Sequence, residues 1–175
     1  MKRCPLCTVF FAFLISLFIL VPVASEQSVW GQLGEIENQI PKNVPIKVEF
    51  KNQESENWVH DLEIIVTNTG KKPVHFLFLS LTLDVKAENG NVLGFALLYG
   101  NGDLYSTETE AKAEDIAVAP NASYTFKINQ NSALGWNLRK AEGNFIEPQK
   151  GFLSLGFINY GDGSGHLGGG TPFKK

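Results

Sequence analysis

The chain has 175 residues, with 15 Lys or Arg against 18 Asp or Glu and a formal net charge of −3. No dense basic run accompanies that balance, which excludes a nucleic-acid-binding surface, because closely spaced phosphates need a clustered positive face. Both cysteines lie within the first seven residues, so neither a disulfide framework nor a Cys/His zinc site belongs to the body of the chain.

Residues 1–25 read as a signal peptide. Lys2 and Arg3 start it, residues 9–21 are apolar except for Ser16, and Val23 and Ser25 fit the small uncharged positions of a cleavage site. The apolar run falls short of the ~20 residues a spanning helix needs, so the chain is expected to meet the membrane only during export. Cys4 and Cys7 lie ahead of that run and leave with it. After removal, thirteen basic and eighteen acidic residues remain, a net charge of −5. About 150 residues suffice for one domain with its own core. Export without disulfides points to a bacterial periplasmic or extracellular location.

Residues 26–43 are expected to be a linker or edge segment. Val29, Leu33, Ile36 and Ile40 recur at helical spacing, but Pro41 and Pro45 stop a helix. Residues 44–162 then change to period two. Ile46, Val48 and Phe50 alternate with charged residues. Leu62, Ile64 and Val66 repeat the pattern. Leu77, Leu79, Leu81, Leu83 and Val85 form the longest apolar face. A hairpin turn is expected in Asn68–Pro73 and another in Glu88–Asn91. Further strands are predicted near 92–99, 123–128 and 151–160. A weak helical pattern runs over 131–143. These elements predict an all-β fold, an antiparallel β-sandwich of about seven strands.

Two stretches carry a resemblance. Leu62–Phe76 resembles the V-x-N-x-G-x-x-P-V hairpin of bacterial extracellular immunoglobulin-like domains, and Val118–Phe126 resembles their L-x-P-G-x-S-x-x-F strand entry, with Asn121 where Gly is frequent. The resemblance implies an immunoglobulin-like β-sandwich acting as an adhesive, spacer or binding module. It supplies no catalytic residues.

Residues 163–175 are expected to be a Gly-rich C-terminal tail. Gly163, Gly165 and Gly168 spell G-x-G-x-x-G, but only seven residues follow Gly168, none acidic, and a dinucleotide site needs a helix there. An EF-hand fails too, with His166 and Phe173 where oxygen ligands belong. A fainter echo joins Tyr99–Asp103 to Tyr160–Ser164. Were these loops to meet, Asp103 and Asp162 would share a calcium ion, and Tyr99, Tyr105, Trp136 and Tyr160 would offer rings to a carbohydrate. A strand between Leu104 and Thr107 is expected to bring them together, and its absence to part them.

His75 is expected to be a satisfied, partly buried histidine. His60 and Asp61, read as strand neighbours, are expected to point apart. The carboxylates of residues 106–115 read as a solvated loop, and Asn121–Ser123, although a glycosylation acceptor pattern, as a turn. No catalytic constellation emerges, and the only cofactor in prospect is calcium. The expected function is an exported, non-enzymatic binding or structural module whose partner is a protein or polysaccharide of the envelope. The alternative is a carbohydrate- or calcium-binding module using loops 99–105 and 160–165.

Overall fold

The computed structural model describes residues 34–86, 90–128, 141 and 146–175. The signal segment, Trp136 and nearly all of the helical pattern at 131–143 lie outside the described residues. The fold is all-β, with two sheets in an arrangement compatible with a β-sandwich. The first sheet runs β5 (Val92–Gly100), β4 (Phe76–Lys86), β7 (Lys150–Asn159), β8 (Ser164–Leu167), β9 (Pro172–Lys174), and β1 (Glu35–Asn38) pairs in parallel with the first half of β7. The second holds β2 (Ile46–Lys51), β3 (Glu63–Asn68) and β6 (Ser123–Lys127), all antiparallel. Nine strands among the described residues thus replace the expected seven or so.

Period-two patterning decides which side chains meet. Leu77, Leu79, Leu81 and Leu83 of β4 are buried in one core with Leu153, Leu155 and Ile158 of β7 and with Ile64, Val66 and Phe126 of the opposite sheet. Burial of such side chains contributes about 1.5–3 kcal/mol each relative to exposure. A bulge shifts the phase of β7 by one residue, so that Ile158 follows Leu153 and Leu155 into the core. Pairing with β4 shifts between Phe78↔Phe157 and Leu79↔Leu155, so Gly156 is the extra residue. Glycine is required there: a Cβ would come within 2.3 Å of the Phe78 ring.

Beyond the bulge, Phe157 turns to the outer face and joins Phe76 and Leu104 in a second cluster, with Phe78, Ala111 and Phe173 against it. The start of β4 is therefore buried on both faces, as its Phe76–Leu79 run predicts.

Three expectations are corrected. Residues 69–74 do not close a hairpin. They carry the chain from one sheet to the other, because β3 pairs with β2 and β6 while β4 pairs with β5 and β7. Residues 163–175 are not a tail but complete the first sheet through β8 and β9, held by the stacked Phe157 and Phe173 rings, 5.3 Å apart. Ile36 and Ile40 do lean on the core, as an edge segment should, but β1 belongs to the sheet itself.

Candidate functional site at the loop end

Gly100 and Asn159 both pair with Phe76, so the two Tyr-Gly loops leave the same end of the first sheet on either side of β4. They meet without a strand between Leu104 and Thr107, where the chain makes a 3-10 turn (Gly102–Leu104) and bends. Among the described residues the one strand between β5 and β7 is β6, and a single traverse returns β7 to the end where β5 stopped.

Two buried asparagines stitch this end. Asn159 is fully buried, and its Nδ2 donates to the carbonyls of Leu104, Ser106 and Thr109 at 3.1–3.2 Å while its Oδ1 accepts from Gly161 N at 2.7 Å. Asn68 repeats the device. Its Nδ2 donates to the carbonyls of Lys72 and Val118, and its Oδ1 accepts from Gly70 N. The crossings 69–75 and 112–122 touch at the Val74↔Val118 bridge. The shared signal is Asn-x-Gly at a strand's end, an Asx-turn pattern. It stands in the sequence at both places, as Asn68-Thr69-Gly70 and Asn159-Tyr160-Gly161.

The site residues fall on different surfaces. Tyr99 faces the core, its ring 4.5 Å from Tyr124 and its hydroxyl donating to Ile116 O at 3.1 Å; burial, then Tyr124, raises its pKa. Tyr105 lies on the opposite face, with its ring 5.2 Å from Phe157 and 5.8 Å from Phe76 and Phe78. Tyr160 is in the core, its hydroxyl 3.1 Å from His166 Nδ1. Burial first, then the Asp162 charge, pushes Tyr160 up to about 12, and burial lowers His166. The three tyrosines therefore do not form one platform.

Asp162 already holds a cation. Lys72 Nζ lies 2.7 Å from its Oδ2 and 2.8 Å from Ser164 Oγ, and Ser164 donates to Oδ1 through its N and its hydroxyl. The Lys72 hydrogen bond, then that of Ser164, lowers the Asp162 pKa. Asp103 is exposed, and its backbone N–H donates to Asn101 Oδ1. A calcium ion at Asp162 would have to displace Lys72, and no group of three or more His, Cys, Asp or Glu side chains gathers for a metal among the described residues.

The opposite end is open among the described residues. An 870 Å³ cleft there is lined by Asn52, Ser55, His60, Asp61 and Glu63, among others. His60 and Asp61 sit on a one-turn helix, α1 (Trp58–Asp61), not on a strand, so they do not point apart as expected: His60 Nδ1 is 2.9 Å from Asp61 Oδ1. Asp61 also accepts from the Ser55 hydroxyl, which with His60 lowers its pKa. The order is Ser–Asp–His. The carboxylate sits between the other two, so the imidazole cannot take the serine proton as it does in a hydrolytic triad.

His75 departs from expectation as well. Its Nδ1 is buried without a hydrogen-bond partner among the described residues, and its ring packs so closely on Gly161 that a Cβ there would come within 2.5 Å. No family model, curated protein or solved structure matches this chain.

Proposed function

We propose that this chain is an exported, non-enzymatic module with an immunoglobulin-like sandwich, serving a binding or structural role in a bacterial envelope or extracellular space. The observation that carries the reading is the closed polar network of Asn68, Asn159 and Asp162. It uses the groups a ligand site would need free to make the loop end rigid, as a spacer or display scaffold requires. The two sheets sharing one core, antiparallel except where β1 pairs with β7, support the sandwich part of this reading. Residues 1–25 support export, and their removal is read directly from the mass of the secreted chain, which should begin at Glu26.

A carbohydrate- or calcium-binding role is the second reading, favoured by the meeting of the two Tyr-Gly loops. A thermal-shift screen of the purified protein against calcium and common polysaccharides separates the two. A ligand at 100 times its dissociation constant adds about 2.7 kcal/mol, a shift of several degrees for a domain this size. The structural reading expects no shift. A calcium shift abolished by Asp162→Asn would overturn it in favour of the second.

A further inference from the structure

We propose that the β8–β9 hairpin is an acid-released closure, docked on β7 at neutral pH and let go when the His166 ring takes up a proton. The inference is independent of the reading above, and every residue it invokes is described. β8 meets β7 through the pairs Phe157↔Leu167, Ile158↔His166 and Asn159↔Gly165. Among the described residues β9 pairs with β8 alone. Loss of β8 therefore frees both strands, parts the stacked Phe157 and Phe173 rings and bares the end of β7.

His166 is placed so that a proton is costly there. The Tyr160 hydroxyl lies 3.1 Å from His166 Nδ1, its one hydrogen-bond partner among the described residues. A phenol keeps its proton through the neutral and acid range, so the hydroxyl donates and Nδ1 accepts. Once Nδ1 is protonated the hydroxyl can only accept, and its own proton is left without an acceptor against the core. The surrounding charges give no relief. Ile158 and Pro172, opposite His166 on either side, are uncharged. Lys72, on the crossing from β3 to β4, sets its Nζ 5.8 Å from the Tyr160 ring and 2.8 Å from Ser164, which shares a face of β8 with His166. Asp162 is already engaged by Lys72 and Ser164. On β9 Lys174 pairs in register with Ser164, and beyond it Lys175 holds Glu110 at 3.5 Å. His75 lies across the turn, its ring on Gly161. An imidazolium therefore joins the Lys72 ammonium with no free carboxylate beside it. Burial holds the docked His166 ring below its ordinary 6.5. The docked state thus has its full advantage above pH 6.5 and loses it as pH falls from there toward the docked value.

The test is amide hydrogen exchange on protein expressed from the full sequence, between about pH 7.5 and 5.5, above the ordinary carboxylate range. Rates are corrected for intrinsic exchange, with β4 as the internal reference. Protection of β8 and β9 should fall about three- to tenfold relative to β4 over that range, the reach of one linked proton. His166→Gln, neutral throughout, should abolish the fall. The His166 ring, followed by NMR in the wild type, should titrate over the interval in which protection is lost, a reading that stands even where the variant weakens the hairpin at every pH. Three results overturn the proposal: protection that does not change with pH, a fall retained in His166→Gln, or a ring that takes up its proton while β8 and β9 stay protected.

Discussion

The two ends of the molecule handle polar groups in opposite ways. At the loop end, where His75 Nδ1 is buried without a hydrogen-bond partner among the described residues, Asn68, Asn159 and Ser164 are buried. Each is satisfied by hydrogen bonds, so the desolvation cost of its amide or hydroxyl is offset. At the cleft end the Ser55–Asp61–His60 chain and the Lys127–Glu63 pair are solvated. Burial makes the first network structural. The second contributes little to stability and leaves its groups accessible. Chemical type does not separate them, since both contain a lysine–carboxylate pair, a serine and a histidine.

The sharpest way to break this contrast is Asn159→Ala. It strands three loop carbonyls and an N–H in a buried site, and a loss of about 3 kcal/mol is expected in urea unfolding, with Asn68→Ala close behind at about 2 kcal/mol. A loss below 0.5 kcal/mol for both would mean the loop end is not held as described. Next is Tyr160→Phe, which removes the contact to His166 and is expected to lower stability by about 1 kcal/mol at neutral pH. The folded Tyr160 pKa of about 12 lies above its ordinary 10.0. The stability it contributes is whole below pH 10.0 and is lost as pH rises through the folded value. The alkaline fall should therefore flatten in the variant, as urea midpoints against pH will show.

Lys72→Met probes the acid side. The folded Asp162 pKa is depressed below 3.8, so its contribution is present above that pH and lost as pH falls toward the folded value. The pair is half exposed, so solvent screening holds the loss at neutral pH to about 0.5 kcal/mol, and the acid limb should become shallower. The smallest effect is expected from His60→Ala in the open cleft. Thermal melting should move within the scatter of surface substitutions, about ±0.5 kcal/mol. A large destabilisation there would erase the distinction between the ends.

Much of the scaffold was legible in the residues. The alternation at Leu77–Val85, Leu62–Val66 and Ile46–Phe50 placed the core faces correctly, because a strand's side-chain period is two wherever it lies. The partners of those strands were not legible. Asn68–Pro73 has the composition of a hairpin turn, yet the same residues serve equally well to cross between sheets, and local turn chemistry is identical in both cases. His60 and Asp61 were misplaced because a single helical turn is too short to show a period, and their contact depends on it.

By itself the sequence determined that the described chain is built of strands, which faces they bury, and that no cysteine follows Cys7 to form a disulfide framework. Those properties follow from local periodicity and composition. Only the tertiary structure decided that the Gly-rich stretch after Tyr160 completes a sheet. Likewise, it brought the two Tyr-Gly loops together, and it spent Asp162 on Lys72, ninety residues away in the chain. Each of those outcomes depends on strand order, a long-range property that no window of neighbouring residues encodes.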